Sequence, residues 1–443
     1  MSPQRPNILM IMLDQLRFDY LGYNGAKHVD TPNIDVLAKN GMVFSNCFTN
    51  APVCAPARIG LATGMHPSHI GVLDNQVSLS LNYRTYYQSL RDNGYQVDFV
   101  GKLDLAKVTD SDGVRGERPC NYSYGFTKPF EVEGKREAAR AIEPIGPYTQ
   151  YLKEKGVLAG FHARKEELRR ADYFNGLTEC SHLETEDYID TFVANRVIKT
   201  IYDMEQDFPW YLQVNFLGPH DPFDPPEVYA DIYADRQMPV SIISKEEKSS
   251  NWVKRKKKTL SEEQQLRAKQ QYAAYIRLLD EQIGRIIDAL KMKGSLESTY
   301  IILTSDHGDM LGDFSLFGKH MPYESAIHIP LLISGPKISS GICEELVELI
   351  DVNPTIQDLA GISQQPIMDG KSLASILSGQ SKKHRDAIIS EERNFRCVRT
   401  RRYKYIEYYN DKSELYDLYE DPCELINIYH DHYYIAKRLS EFF

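Results

Sequence analysis

The stretch Tyr300-Ile-Ile-Leu-Thr-Ser305-Asp306-His307-Gly308-Asp309 passes directly from an apolar run into a cluster of polar residues. Short apolar runs bounded by turn-forming residues are typical of strands that are buried on both faces of a sheet. Four other runs have this character, at residues 8–13, 97–100, 210–217 and 331–333. We therefore expect a central sheet that contains these five runs as strands.

Two helical patterns lie between the runs. Residues 185–204 carry apolar side chains at helical spacing, and residues 261–291 do so over a longer stretch. The longer pattern opens with Ser261-Glu-Glu-Gln264, in which the serine and the glutamine can each cap the other's backbone N–H group. Alternation of strands and helices predicts an α/β fold with a mostly parallel sheet covered on both faces.

The chain divides into a large unit at residues 1–383 and a small α+β unit at residues 384–443. Residues 105–180 are rich in Gly, Pro and charged side chains, and we interpret them as an insertion that shapes the substrate site at one end of the sheet. The small unit contains short apolar runs at residues 397–400, 403–409 and 415–418. Their spacing predicts a small antiparallel sheet.

Composition and charge argue against several classes of protein. The 443 residues carry 52 basic and 62 acidic side chains, and this net charge of −10 is not typical of a nucleic-acid binder. The longest apolar run near the start, residues 8–13, is too short for a membrane span or a signal peptide. Seven cysteines without a Cys-x-x-Cys pair form no disulfide framework. We therefore expect a cytoplasmic protein with no membrane and no nucleic-acid partner; the alternative is an exported protein whose leader has been removed.

Polar residues follow four of the predicted strands. Asp14-Gln15 ends the first, Gly101-Lys102 with Asp104 the second, Pro219-His220 the third and Asp306-His307 the fourth. Ligands of open α/β sheets bind beyond the carboxyl ends of the strands, so these side chains are expected at one rim. Oxygen ligands from Asp14, Gln15 and Asp306 suit calcium, magnesium or manganese, and His307 shifts the choice towards manganese or a mixed site. Taken singly, each residue fits a helix cap or a turn just as well.

A separate motif is Cys54-Ala-Pro56-Ala-Arg58, which is followed by Gly64. Pro56 suits the first turn of a helix and Gly64 suits its end, so Cys54 is expected at a helix N-terminus. The helix dipole would acidify a thiol there, and Arg58 would add positive charge one turn later. The alternative is a buried structural cysteine.

Cys54-Ala-Pro56-Ala-Arg58 resembles the C-x-P-x-R motif of the formylglycine-dependent sulfatases and the related phosphonate monoester hydrolases of the alkaline phosphatase superfamily. The resemblance extends over nearly the whole chain through other motifs, which are Asp14-Gln15 with Arg17, Thr31-Pro-Asn-Ile-Asp35, Gly94-Tyr95, Gly101-Lys102, Pro219-His220, Ser305-Asp306-His307-Gly308, Gly318-Lys319-His320, Tyr323-Glu324, Arg402-Tyr-Lys404 and Glu414-Leu-Tyr-Asp417. It implies an alkaline-phosphatase-like α/β/α sandwich followed by the small antiparallel subdomain.

The resemblance also implies a chemistry. Cys54 would be oxidised to formylglycine, whose hydrated form attacks the ester in line and is regenerated by elimination. One divalent cation would be held by residue 54 together with Asp14, Gln15, Asp306 and His307. Calcium is preferred for this cation, with magnesium and manganese as alternatives.

Other residues take roles around the ester. By resemblance, Arg58 would orient the nucleophile, His220 would protonate the leaving alcohol, and Lys102 and Lys319 would neutralise the anion. The predicted substrate contacts are Asn75, Asp104 and His320.

Three positions depart from the pattern of many sulfatases. Gln15 stands where a second acid is common, Asp104 where a histidine is common, and Ala55 where Ser or Thr is common. Lys102 favours a sulfate monoester over a phosphonate ester. Asp104 opposes this preference unless it pairs with Lys102 or faces a cationic substrate.

These observations leave three functions open. The first is a sulfuric ester hydrolase that acts on a sulfated sugar or another small organic sulfate. The second is a phosphonate monoester or phosphodiester hydrolase, and the third is a metal-binding, sulfatase-like protein whose Cys54 is never converted. The expected partners are the anionic ester, a formylglycine-generating maturation enzyme and, as a further option, a second copy of the chain.

Overall fold

The computed structural model describes residues 5–107, 113–171, 175–205, 207–244, 250–258, 260–364 and 367–443. Within these residues one central sheet contains eight strands, which are β1 (Asn7–Asp14), β2 (Gly41–Phe48), β3 (Gln96–Gly101), β4 (Lys128–Glu131), β5 (Trp210–Pro219), β6 (Thr299–Ser305), β7 (His328–Ser334) and β8 (Gly341–Glu348). Their order across the sheet is β4-β3-β5-β1-β6-β7-β2-β8. β7 runs antiparallel to both neighbours, and the other adjacent strands are parallel. The predicted mostly parallel sheet is confirmed.

The two faces of this sheet bury separate hydrophobic cores. Alternate residues of β1 divide between them, with Leu9, Ile11 and Leu13 in one core and Ile8, Met10 and Met12 in the other. A strand that is buried on both faces has no polar side to mark its period of two, so it reads as a continuous apolar run. Helices cover both faces, and the α/β/α sandwich implied by the resemblance is confirmed.

The described helices are α1 (Pro32–Lys39), α2 (Cys54–Thr63), α3 (Tyr86–Asp92), α4 (Pro119–Ser123), α5 (Lys135–Arg140), α6 (Pro147–Glu154), α7 (Leu158–Ala171), α8 (Asn175–Thr178), α9 (Ile189–Asp203), α10 (Glu227–Tyr233), α11 (Asn251–Lys256), α12 (Glu262–Met292), α13 (Glu324–Ile327), α14 (Val352–Leu359), α15 (Ala374–Leu377) and α16 (Tyr433–Leu439). The predicted capping box of α12 is present, because Ser261 Oγ accepts from the N–H group of Gln264 while Gln264 Oε1 accepts from that of Ser261. None of these helices combines the length and the apolar character that a membrane crossing requires.

A second, antiparallel sheet lies near the C-terminus. Its strands are β9 (Ala387–Glu392), β10 (Phe395–Thr400), β11 (Tyr403–Tyr408) and β12 (Glu414–Asp417), in the order β12-β11-β10-β9. The last three match the short apolar runs of the sequence, so the predicted small antiparallel sheet is confirmed. β9 is not predicted, and it ends with two acidic residues.

The apolar pattern also fails to predict β2, β4 and β8. β8 is an edge strand whose first five residues are exposed or half-buried, so they need not be apolar. β2 contains an irregularity between Phe44 and Cys47, where two polar residues interrupt the apolar run. β4 lies within residues 105–180 and pairs with β3, so this part of the segment extends the central sheet. Residues 108–112 and 172–174 of that segment lie outside the described residues.

A buried ion-pair cluster joins the two sheets. Lys404 on β11 places Nζ 3.1 Å from Oε1 of Glu324, which begins α13, and 2.7 Å from Oε1 of Glu424. The Lys404 side chain is fully buried, and Arg399 on β10 lies 3.5 Å from Glu324. The two carboxylates require these cations because an unpaired charge is costly to bury.

We expect Lys404→Met to lower the free energy of unfolding by about 3–5 kcal/mol, because it removes the cation shared by the buried carboxylate of Glu424 and the partly buried carboxylate of Glu324. Arg402→Gln is the control, since it removes an exposed ion pair with Asp417 on the same hairpin and should change stability little. Urea unfolding followed by circular dichroism measures both variants. Equal effects of the two substitutions would contradict a structural role for the buried cluster.

Candidate active site

Four adjacent strands, β3, β5, β1 and β6, end at the same rim of the central sheet. The residues at their ends include Lys102, His220, Asp14 and Asp306. β3 comes close to β5 there, because Gly101 has a φ of 114° and a Cβ at this position would lie 1.9 Å from the carbonyl oxygen of Asn215. The sheet therefore needs glycine at this point, directly before Lys102.

Helix α2 brings two further residues to the rim. Cys54 is its first residue, Arg58 lies one turn later, and the whole helix is buried. Gly64 ends the helix with a φ of 73°, as the sequence predicts. Asn75 fixes the start of the helix, since its Oδ1 accepts a 3.0 Å hydrogen bond from the backbone N–H group of Ala55.

Positively charged groups surround the Cys54 thiol. Its Sγ lies 2.7 Å from Lys319 Nζ, 3.6 Å from Lys102 Nζ and 3.3 Å from His307 Nε2. Burial alone would raise the pKa of the thiol, but Lys102, Lys319 and His307 lower this pKa well below its usual value. Such electropositive surroundings are typical of reactive cysteines and not of inert structural ones.

The thiol also belongs to a group of candidate metal ligands. One ligand atom from each of Asp14, Cys54, Asp306 and His307 lies within 4.8 Å of the others, and all four residues are buried. His307 Nδ1 lies 2.9 Å from the carbonyl oxygen of Gly308 and donates to it, which leaves Nε2 as the ligand atom.

Gln15 contacts one of these candidate ligands through its backbone. Its backbone has a φ of 73°, and its N–H group donates to Asp306 Oδ1 at 3.0 Å. Its side-chain NH₂ donates to Asp309 Oδ2, while its Oε1 is buried without a hydrogen-bond partner. A buried amide oxygen without a described partner suits a hard divalent cation, and so do the carboxylates and the imidazole of the cluster; the residues present therefore fit the cation that the resemblance implies.

The sequence does not predict a role for Asp309, although it follows Asp306 and His307 closely. Its Oδ1 accepts hydrogen bonds from the backbone N–H groups of Leu311 and Gly318, at 2.6 and 3.1 Å. The fixed carboxylate holds the nitrogen of the Gln15 amide and thereby determines which atom of that amide is left for a cation.

Arg58 connects the two buried carboxylates. Its Nε lies 2.8 Å from Asp306 Oδ2, its Nη2 lies 3.1 Å from Asp14 Oδ2, and its Nη1 donates to the carbonyl oxygen of Lys102. Burial and the Cys54 thiolate would raise the pKa of Asp14, but Lys102, His220 and Lys319 lower it below its usual value. Asp14 is therefore ionised, and Arg58 acts on the site through the carboxylates that it holds.

Asp104 pairs with two lysines. Its Oδ2 lies 3.2 Å from Lys102 Nζ and 3.0 Å from Lys107 Nζ, and its φ is 60°. Burial alone would raise the pKa of Asp104, but the two ammonium groups lower it. Burial likewise opposes the charge of Lys102, yet Asp104 and Asp14 raise its pKa well above the usual value. The pairing of Asp104 with Lys102 is one of the arrangements that the sequence leaves open.

A cavity of about 320 Å³ opens over the thiol. Predicted site residues line it, namely Cys54, Asn75, Lys102, Asp104, His220, Lys319 and His320, whereas Arg58 and the other candidate metal ligands do not. His220 Nδ1 lies 2.6 Å from the carbonyl oxygen of Asp221, so it donates there and Nε2 is the nitrogen left for the substrate. His320 Nδ1 lies 2.8 Å from Glu392 Oε1. Residues 105–180 add lining side chains that the sequence does not identify, among them Arg118, Lys135 and Arg136.

A second group of potential ligands, His66, His69 and Asp369, lines a different cavity. His66 Nε2 pairs with Glu348 at 3.1 Å and His69 Nδ1 pairs with Asp369 at 2.7 Å. All four residues of the rim cluster are buried, whereas His69 is exposed and Asp369 is half-buried, so the cluster at the rim is the better candidate for a cation.

Comparison with known proteins identifies the family to which the sequence is similar. The sequence matches the sulfatase family model over residues 6–362 and a model described as N-sulphoglucosamine sulphohydrolase, C-terminal, over residues 312–441. An arylsulfatase of Clostridium perfringens is 30% identical over 435 residues, which cover 94% of this chain and 89% of that protein. A choline-sulfatase of Rhizobium meliloti is 30% identical over 447 residues, which cover 95% of this chain and 82% of that protein.

The crystal structure of a phosphonate monoester hydrolase of Agrobacterium radiobacter superposes with a TM-score of 0.82 at 25% identity, and the match covers 99% of this chain and 94% of that one. The similarity in fold therefore extends over both chains almost completely. Since the family model also spans most of the sequence, the chain belongs to the sulfatase family of hydrolases.

Proposed function

We propose that this protein hydrolyses sulfate monoesters of sugars, with formylglycine at position 54 as the nucleophile and one divalent cation, calcium, as cofactor. The observation that carries the proposal is the position of the Cys54 thiol, which lies within 3.6 Å of two ammonium groups and among the candidate metal ligands. The names of the relatives, arylsulfatase and choline-sulfatase, support a sulfate ester. The phosphonate monoester hydrolase makes a phosphonate ester the second candidate.

Charge balance favours an anionic substrate once residue 54 is neutral. In the thiolate form, Sγ is the anion that Lys319 and Lys102 face. Oxidation to an aldehyde removes this negative charge. Lys102 keeps the carboxylates of Asp14 and Asp104 as partners, whereas Lys319 has no carboxylate within ion-pair distance among the described residues and requires another anion at the same place. A bound sulfate group supplies this anion.

Several side chains of the protein have separate roles around this anion. When bound, the cation supplies Lewis-acid polarisation, and formylglycine supplies the attacking oxygen. Lys102 and Lys319 bind the sulfate oxygens. His220 keeps its Nδ1–H on a backbone carbonyl. The imidazolium form carries a second proton on Nε2, and this proton passes to the leaving oxygen, which leaves a neutral imidazole.

The rest of the cavity suits a sugar as the leaving group. Among the described residues, its lining contains no Phe, Tyr or Trp, whereas Arg118, Glu131 and Glu137 contribute charged groups. An aryl or quaternary ammonium group would gain more from an aromatic wall. Sugar hydroxyls form charge-assisted hydrogen bonds with such side chains, since a hydroxyl both donates and accepts.

A substrate panel tests the function. Protein co-expressed with a formylglycine-generating enzyme should show a higher kcat/KM on sulfated monosaccharides than on phosphonate monoesters. Cys54→Ala should reduce turnover to background, because no other group can form the diol, and Cys47→Ala, at a buried cysteine outside the site, should retain it. Peptide mass spectrometry should find the residue 54 peptide about 18 Da lighter than the thiol form.

The outcomes of this panel separate the three functions. Faster turnover of phosphonate esters would assign the second one. An inactive protein with an unconverted Cys54 would support the third function, a metal-binding protein without turnover. Activity retained in Cys54→Ala would refute residue 54 as the nucleophile.

Metal content tests the ligand cluster. Asp306→Asn should lose most of the bound divalent cation, which we expect at about one ion per chain, because a neutral amide is a weaker ligand for a hard cation. Asp369→Asn, in the second histidine–carboxylate group, should retain the ion. Elemental analysis of dialysed protein measures both, and unchanged metal in Asp306→Asn would rule out this site.

Asp104→Asn tests the departure from the common histidine. We expect kcat/KM to fall at least about tenfold, equivalent to about 1.4 kcal/mol, because Lys102 loses the carboxylate that fixes its ammonium group. Tm should change little. Glu137→Gln removes a negative charge from the same cavity without a described contact to Lys102, and it should retain activity. Equal kinetics of Asp104→Asn and the parent protein would make Asp104 a scaffold residue.

A further inference from the structure

Lys135, the first residue of α5, contacts the loop that carries His220. Its Nζ donates to the carbonyl oxygens of Pro222 at 2.6 Å and His220 at 3.4 Å. The same ammonium group lies 2.8 Å from Asp224 Oδ1. One cation from the segment 105–180 therefore binds three points of residues 220–224.

The surroundings of this ammonium group leave it little freedom. It lies 4.2 Å from the centre of the Tyr275 ring and 3.1 Å from the Tyr188 hydroxyl, and the Lys135 side chain is only 7% exposed. Lys165 pairs with the other carboxylate oxygen of Asp224. Among the described contacts, Lys165 makes none with the carbonyl groups of the loop, which distinguishes the two lysines.

Separate contacts fix the chain just before His220. Asp190 Oδ1 accepts from the backbone N–H group of Leu217 at 2.7 Å, and Tyr275 donates to its other oxygen. Gly218 packs against Tyr275 so closely that a Cβ would lie 2.4 Å from the ring. The loop is thus clamped before His220 by Asp190 and Tyr275, and from His220 onwards by Lys135.

We propose that Lys135 is a positioning residue for His220. By binding the carbonyl groups of residues 220 and 222, it keeps the imidazole within hydrogen-bond reach of the leaving oxygen. This inference rests on the proposed role of His220 as the proton donor. Proton transfer requires the donor within hydrogen-bond reach, and a displacement of about 1 Å can cost about a hundredfold in rate.

Dependence on the leaving group tests the proposal. Lys135→Met should lower kcat at least about tenfold on an alkyl or sugar sulfate, whose leaving oxygen needs a proton, with KM changed less than about threefold. On 4-nitrophenyl sulfate, whose leaving group departs as an anion, kcat should change less than about threefold. Lys135→Gln should lie between the parent and Lys135→Met, because it keeps a hydrogen-bond donor without the charge.

Two controls separate this inference from the proposed function. Lys165→Met removes the other partner of Asp224 and should show no dependence on the leaving group. His220→Gln should show the dependence even more strongly than Lys135→Met. If His220→Gln lacks it, the proposed proton donor is wrong; if His220→Gln shows it and Lys135→Met does not, the positioning role alone is overturned.

A measurement without turnover covers the case of an inactive or unconverted protein. In histidine-labelled Cys54→Ala protein, the His220 imidazole resonance is assigned by its loss in His220→Gln. Lys135→Met should shift this resonance at fixed pH and Lys165→Met should not. An unshifted resonance in folded Lys135→Met protein would overturn the proposal.

Discussion

A guanidinium group buried between two carboxylates determines the arrangement of the candidate site. Arg58 is 2% exposed and binds Asp14 at the end of β1 and Asp306 just beyond β6. Removing any member of such a triad leaves a buried charge without its partner, which costs several kcal/mol. α2 can therefore occupy only one position against the rim. Because Cys54 precedes Arg58 by one helical turn, the same ion pairs determine where the thiol lies.

The sequence predicts those parts of the molecule that depend on local pattern. Strands that are buried on both faces appear in the sequence as apolar runs, and polar residues follow directly where these runs end. This pattern alone assigns Asp14, Lys102, His220 and Asp306 to one rim. The edge strand β8 could not be predicted in this way, because an edge need not be apolar. Neither could the role of Lys135, since its partners in residues 220–224 lie 85 to 89 residues away and no periodicity in the sequence records such a contact.

Several residues that are predicted from the sequence to belong to the site have a strained backbone. Gln15, Asp104 and His320 all have a positive φ, between 60° and 73°, although each carries a side chain. This conformation is unfavourable for residues other than glycine and persists only where the surroundings determine it. Gln15 is held by Asp306 and Asp309, Asp104 by two lysines, and His320 by Glu392 and a backbone carbonyl. At these three positions the strained backbone therefore coincides with polar contacts that hold the residue at the rim.

The departures from the common sulfatase pattern at positions 15 and 104 are related through charge. Gln15 keeps an oxygen for a cation but removes one negative charge from the ligand cluster, whereas Asp104 adds one where a histidine is common. Lys102 contacts Asp104 and also Asp14, which precedes Gln15 in the sequence. The negative charge that position 15 lacks is thus carried by Asp104, in an ion pair with Lys102. Since Asp104 neutralises part of Lys102, Lys319 becomes the principal cation available to an incoming sulfate group. Compared with the common pattern, Gln15 therefore lowers the negative charge of the cation cluster and Asp104 raises that of the cavity wall. The summed charge of positions 15 and 104 stays the same.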